Sequence, residues 1–341
     1  MEFPAQNNIS ESNHFIPSFE PVKDELVQVR ELIKRQLTSS SSGKQKQSYV
    51  RKLLNTIQNR SGKMIRPALV LLTGKYFDCI TDEHITVAAC IEMVHNATLL
   101  HDDVIDEGTQ RRGKPTINSL WGNESAVLLG DFLLSHVFKL CADLEPKVTA
   151  VIANAAVRLC EGELRQIEQK NNWQMSDSEY INVITEKSAA LFSTSCYLGA
   201  ILAKAGEETA NLFSDFGLNA GIAFQITDDL LDIIGDEKRT GKTTGSDADK
   251  HKPTLAVIHL LNSVDKSKKE ELIEAFPGSH NSPKTRKTFI ELLKNAGSID
   301  YAANQSQRYI SKAIHSLDTI PQSQAKSTLI ETANFMANRS C

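Results

Sequence analysis

The feature that most constrains this chain is a pair of helix ends bearing the same acidic pattern. Apolar Ile91, Val94, Leu99 and Leu100 recur at helical spacing, so the stretch from Glu92 to Asp106 reads as a helix. Its last turn holds Asp102, Asp103 and Asp106, and Gly108 predicts the stop. Asp102 and Asp106 are four residues apart and project from one face. A helix C-terminus is the unfavourable end for anions, because its free carbonyls are already partly negative. Paired acids there call for a bound cation. Basic residues follow at once in Thr109-Gln110-Arg111-Arg112-Gly113-Lys114. The second copy is Phe224-Gln225-Ile226-Thr227-Asp228-Asp229-Leu230-Leu231-Asp232, then Gly235 and the basic residues Lys238, Arg239, Lys242, Lys250 and Lys252.

Hard oxygen ligands with room for water suit Mg²⁺, which is commonly shared with substrate phosphates. Two facing acid clusters with lysines and arginines between them describe a clamp for a diphosphate. One acidic triple alone is a weak signal, since such triples are common on solvated helices. Two copies, each with an upstream apolar helix and a basic tail, are specific. Together they closely resemble the motifs of the trans-isoprenyl diphosphate synthases, also called polyprenyl synthetases. The resemblance runs from about Ser61 to Leu255, and more loosely to the C-terminus. Within it, Ser61-Gly62-Lys63-Met64-Ile65-Arg66-Pro67 matches the family's Gly-Lys-x-x-Arg-Pro, with Ser61 in place of a glycine the family often has. Lys187-Ser188 stands where the family usually has Lys-Thr and keeps the hydroxyl donor. Gly241-Lys242 and Lys252-Pro253-Thr254-Leu255 resemble the family's phosphate-covering loop.

The resemblance implies head-to-tail joining of isopentenyl diphosphate to an allylic diphosphate primer. It implies about three Mg²⁺ per active site, with Asp102 and Asp106 binding two and Asp228 the third. Asp103, Asp229 and Asp232 become the supporting acids of the catalytic set, together with Lys187. Arg111, Lys187, Ser188, Gln225, Lys242 and Lys252 face the allylic diphosphate, and Lys63, Arg66, His95 and Arg112 hold isopentenyl diphosphate. Read without the family, Lys63 and Arg66 are as readily two solvated charges, and His95 is more often a satisfied core histidine.

A chain of 341 residues with 40% hydrophobic residues can build a sizeable core. A net charge of −4 argues against a dedicated nucleic-acid binder. The N-terminus has no basic-then-apolar signal pattern, and no stretch approaches an uninterrupted membrane span. The six cysteines form no Cys-x-x-Cys pair. Five (Cys79, Cys90, Cys141, Cys160, Cys196) lie in apolar contexts, which predicts buried free thiols in a reducing, cytoplasmic setting.

Residues 1–17 are expected to be a disordered tail and 18–341 one helical domain. Helices are predicted over Val22–Leu37, around Val50 to Ile57, then over Ala126–Leu140, Val151–Gln169, Ser178–Ala205 and Asn211–Ile234. Another begins at Leu255, and Thr288–Asn295, Ile299–Leu317 and Gln322–Ala337 complete the chain. Thr38–Gly43 and Phe276–Pro283 read as loops, and no strand pattern of useful length occurs. Glu161, Glu163 and Glu168 read as a solvated helix face. The fold class is therefore all-α, a large helical bundle with a central active-site cavity.

Product length follows from the family's substrate tunnel, whose wall includes the helix of the first motif. Small Ala97 and Thr98 lie about one turn, roughly 5.4 Å, above Asp102. Short-chain members carry a bulky aromatic at one of these positions, so the expectation is a long product of quinone side-chain length. The alternatives are a geranylgeranyl- or farnesyl-length synthase, a terpene cyclase, and a non-catalytic subunit of a heteromeric synthase. A full second Asp-Asp-x-x-Asp disfavours the cyclase, and six retained acids disfavour the inert subunit. The family resemblance also implies a homodimer, and a lipophilic product implies transient membrane contact at its release.

Overall fold

The computed structural model describes residues 18–39, 49–58, 62–111, 113–235, 252–275 and 283–338. The expected tail 1–17, most of the Thr38–Gly43 loop, the turn 276–282, Ser61, Gly241 and Cys341 lie outside the described residues. Arg112 and Lys242 do too.

Helix follows helix along the chain: α1 (Lys23–Ser39), α2 (Tyr49–Gln58), α3 (Ile65–Tyr76), α4 (Asp82–Ile105) and the short α5 (Ile117–Trp121). Then come α6 (Asn123–Cys141), α7 (Pro146–Glu168), α8 (Asp177–Ile184), α9 (Ala190–Leu202) and α10 (Glu207–Ile234). The C-terminal part comprises α11 (Leu255–Ser263), α12 (Lys266–Ala275), α13 (Pro283–Asn295), α14 (Ser298–Ser316) and α15 (Gln324–Ala337). Several helices start earlier than apolar spacing predicts. At α7 Pro146 occupies the first turn, where its missing N–H costs nothing, and α13 likewise opens on Pro283. Between α4 and α5 a two-residue antiparallel ladder pairs Gln110 with Pro115 and Arg111 with Lys114, too short to be the strand of useful length that the sequence excludes.

The predicted helix over Ser178–Ala205 is one rod with a flaw. α8 and α9 are joined by a π-turn, Thr185–Ala189, that contains Lys187 and Ser188. A π-turn fits one more residue per turn than an α-helix, and such turns gather at functional sites.

The main core is built by α1, α3, α4, α6, α7, α9 and α10 around Phe192, Phe213, Phe216, Leu69, Leu71, Leu72, Ile91 and Met93, each under 2% exposed. Both motif-bearing helices run out of this core into a smaller one. The end of α4 enters a cluster with Leu37, Leu53, Leu54, Ala97, Leu100, Leu129 and Leu133. The end of α10, through Ile226, Leu230 and Ile233, enters a cluster with Tyr180, Val257, Leu260 and Leu293. Each acidic end thus has apolar packing at its back, which points its acids the other way. Gly217 lets α10 sit against α9, since a methyl there would lie 2.5 Å from the Phe192 carbonyl.

Cys90, Cys141 and Cys196 are buried thiols as expected. Cys160 is exposed on α7 and Cys79 is half-buried in the turn after α3, so burial fails for these two. No helix among the described residues is long and apolar enough to cross a membrane.

Candidate active site

The first acidic end is fastened by charge. α4 closes in a Schellman-type turn, with Gly108 N–H on the Asp103 carbonyl at 2.8 Å and Glu107 N–H on Val104 at 3.2 Å. The left-handed residue is Glu107 (φ 51°), not the predicted Gly108. The short ladder then brings Arg111 back, and its Nε donates to Asp103 Oδ1 at 2.7 Å. Asp103 is buried, and its backbone carbonyl also receives Asn118 Nδ2 at 3.0 Å. From the far side of the fold, Lys252 Nζ reaches both Asp106 oxygens at 2.8 Å. Lys252 is itself buried, so this ion pair is shielded from water.

The second acidic end is fastened by a chain of hydrogen bonds. Ser188 Oγ donates to Gln225 Oε1 at 2.6 Å, and Gln225 Nε2 donates to Asp229 Oδ1 at 2.7 Å. Tyr180 O–H donates to Asp229 Oδ2 at 2.6 Å. Beyond Asp232, Arg286 donates to the carbonyls of Ile233 and Gly235 at 3.3 and 2.7 Å, placing positive charge on the negative pole of α10.

The π-turn joins the two ends. Ser188 belongs to the second network, while its neighbour Lys187 lies in the field of the first. Lys187 Nζ donates to Glu163 Oε2 and Gln166 Oε1, both at 2.8 Å. Burial works against its charge, but Asp102, Glu163 and Asp106 outweigh that, and the Lys187 pKa lies above the ordinary lysine value. It is a fixed cation. Burial raises the Glu163 pKa, with Asp102 adding to the rise and Lys187 opposing it. The reading of Glu163 as solvated is therefore corrected: Glu161 and Glu168 are exposed, but Glu163 faces inward onto Lys187. The approach of α7 that puts it there needs Gly162, where a methyl would lie 2.3 Å from the Lys187 nitrogen.

A third cluster forms at the start of α3. Met64 adopts a left-handed conformation (φ 55°) and turns the chain between Lys63 and Arg66. Arg66 Nη1 donates to His95 Nε2 at 3.1 Å. A guanidinium cannot accept, so His95 is neutral at that nitrogen. The Arg66 guanidinium also lies 4.0 Å above the Phe192 ring, and Lys63 Nζ lies 4.7 Å above Phe335. His95 is thus held by Arg66, not by apolar core.

The polyprenyl synthetase family model matches residues 47–293. The chain is 35% identical to heptaprenyl diphosphate synthase component 2 of Bacillus subtilis, over 82% of this chain and 79% of that one. It is 36% identical to a short chain isoprenyl diphosphate synthase of Methanocaldococcus jannaschii, over 71% and 74%. Its fold matches a polyprenyl synthase from Caulobacter crescentus, solved with calcium and isoprenyl diphosphate, at a TM-score of 0.87 and 27% identity, covering 95% and 98% of the two chains. The chain belongs to the polyprenyl synthetase family. It is an enzyme, a prenyltransferase, with the family's all-α fold.

In this polyprenyl synthetase the two small residues above Asp102 have different surroundings. At about 100° per residue, Thr98 lies roughly 40° from Asp102 around the helix and Ala97 roughly 140°. Accordingly Ala97 is fully buried in the cluster with Leu129 and Leu133, while Thr98 is half-buried with its hydroxyl on the His95 carbonyl. Among the described residues, no three His, Cys, Asp or Glu side chains form a ready-made metal cage. Mg²⁺ is commonly held by one or two carboxylates plus substrate phosphates, so the Mg²⁺ expected at Asp102, Asp106 and Asp228 does not require such a cage. The ammonium seated on both Asp106 oxygens marks a place where a cation is favoured.

Sequence reasoning missed Tyr180, Glu163, Gln166 and Arg286. The spacing of Glu163 and Gln166 on one face of α7 is the signal that was present; for Tyr180 and Arg286 no local pattern exists.

Proposed function

We propose that this synthetase condenses isopentenyl diphosphate head-to-tail onto an allylic diphosphate primer and repeats the step to a long all-trans product. The observation that carries the site is the π-turn, whose adjacent residues serve the two acidic ends: Lys187 lies in the field of Asp102 and Asp106, and Ser188 bonds Gln225, the partner of Asp229. In the reaction the allylic C–O bond breaks, giving an allylic cation and a diphosphate. The double bond of isopentenyl diphosphate attacks that cation, and the proton released goes to the departing diphosphate. The demand is for stabilisation of charge on the leaving group. Lys187, held cationic by its acidic neighbours, and the buried Lys252 meet it directly. Asp102, Asp106 and Asp228 would hold Mg²⁺, which when bound adds Lewis-acid stabilisation to the same oxygens. Asp103, Asp229 and Asp232 support their neighbours. Arg111, Ser188, Gln225 and Lys242 complete the allylic side, and Lys63, Arg66, His95 and Arg112 seat isopentenyl diphosphate.

The solved relative that holds calcium and isoprenyl diphosphate supports the divalent-cation reading. Small residues at positions 97 and 98, and a heptaprenyl-producing relative, support a long product. The exposed apolar face of α7 (Val157, Leu164, Ile167), with Leu128 and Phe138 of α6, supports a homodimer. The Bacillus relative is named as one component of its synthase, so the second reading is a catalytic subunit that needs an unlike partner. A cytoplasmic site of action, with transient membrane contact at product release, completes the proposal.

The test is incubation of the full chain alone with farnesyl diphosphate, isopentenyl diphosphate and Mg²⁺, with chromatography of the products. Long polyprenyl products support the proposal, short ones correct the length, and no turnover points to the partner-dependent subunit.

A further inference from the structure

We propose that Tyr180 is a positioning residue of the second acid motif, acting through Asp229. This rests on the function proposed above. Tyr180 is 3% exposed on α8, and its hydroxyl donates to Asp229 Oδ2 at 2.6 Å. It belongs to the same apolar cluster as Ile226 and Leu230, the α10 residues that back the motif. Asp229 Oδ1 is taken by Gln225, whose amide is oriented in turn by Ser188. Tyr180 directly, and Ser188 through Gln225, thus brace one carboxylate from two sides, both carried on the rod interrupted by the π-turn.

The bracing depends on α8 being fixed, and it is. Ser176 and Glu179 form a capping box at its start, with Ser176 N–H on Glu179 Oε2 at 2.7 Å. Tyr301 of α14 donates its hydroxyl to Asp177, and the Tyr301 ring stacks on His259 of α11 at 4.3 Å. Tyr180 therefore stands in a frame made by α8, α11 and α14. A doubly held carboxylate fixes the rotation of the last turns of α10, and with it the direction of Asp228 and Asp232.

The test is Tyr180→Phe, which removes the hydroxyl and keeps the ring. Binding of inorganic pyrophosphate in the presence of Mg²⁺ is measured by calorimetry on the full chain, alongside thermal unfolding. Loss of an outer partner of a metal site typically costs about 10- to 100-fold in metal affinity or activity, and Tyr180, one bond further out through Asp229, belongs at the low end. The expectation is pyrophosphate affinity lower by about 10-fold, a higher Mg²⁺ requirement for turnover, and an unfolding temperature close to wild type. A drop in unfolding temperature with unchanged pyrophosphate affinity and Mg²⁺ requirement would make Tyr180 merely structural and overturn the proposal. The second variant is Tyr180→Phe in an Asp229→Asn background. If Tyr180 acts through Asp229, the second substitution adds little to the first. Fully additive effects would also overturn it. Failure of the proposed function shows differently: wild-type protein would not bind pyrophosphate with Mg²⁺ at all.

Discussion

The two acidic ends share a sequence and differ in how they are held. At the end of α4 the middle aspartate, Asp103, is tied to Arg111 and the last, Asp106, to Lys252. At the end of α10 the middle aspartate, Asp229, takes the uncharged donors Tyr180 and Gln225. The same triple is thus not a unit of structure. In both ends the middle acid accepts a strut from outside its own turn. The first end is set by charge brought back through a hairpin and from Lys252, just before α11. The second is set by an amide of α10 itself, Gln225, and by hydroxyl groups carried on the rod that also supplies Lys187. The first should respond to removal of charges, and the second to removal of single polar atoms.

The largest effects should treat the two ends alike. Asp102→Ala and Asp228→Ala are each expected to lower turnover by at least about 100- to 1,000-fold at saturating Mg²⁺, because each removes charge stabilisation of the leaving group. Steady-state rates test this, and a near-normal rate in either variant would break the equivalence.

The next effect should separate them. Arg111→Met leaves the buried Asp103 carboxylate without its guanidinium, a change expected to cost about 3–5 kcal/mol of stability. Urea unfolding should show that loss, and a far smaller one for Tyr180→Phe. Equal losses would mean that the two struts do the same job.

A substitution above the first motif should alter the product more than the rate. Thr98→Phe, near the Asp102 face, is expected to shorten the product, as read by chromatography. Ala97→Phe must enter the packed cluster with Leu129 and Leu133, and is expected to cost about 1–3 kcal/mol by overpacking. Shortening by the Ala97 variant alone would reverse the orientation assigned to this helix.

The smallest effect concerns pH and the start of α4. His84 is fully buried; its Nδ1 accepts the Thr81 N–H at 3.1 Å and its Nε2–H donates to the Gly199 carbonyl at 3.1 Å. Burial lowers its pKa, partly offset by the bond to Gly199. A group whose pKa is lower when folded takes up protons on unfolding, so its contribution is complete above about pH 6.5 and is lost as pH falls below it. Hydrogen exchange at pH 7.5 and 5.5 should show α4 losing protection more than α10. Equal loss in both helices would remove His84 as the cause.

Much of this was legible in the chain. The apolar spacing around Ile91 and Leu100 gives α4 because burial on one helical face repeats every three to four residues. The acid triples are local patterns, and so is the Gly-Lys-x-x-Arg-Pro turn. The π-turn was not legible, because apolar spacing reads through Thr185–Ala189 without a break. Glu163 was misread for a different reason. Whether an acid on α7 meets water or Lys187 depends on how closely two helices approach, and a glycine at position 162 sets that distance. Tyr180 has no local signal, since its partner lies on another helix.

The most direct measurement is calorimetric titration of inorganic pyrophosphate into the full chain with Mg²⁺, for wild type, Asp102→Ala and Asp228→Ala. A single site spanning both acidic ends predicts one binding event that either substitution weakens severely. Two independent events, or tight binding that survives loss of one end, would contradict it.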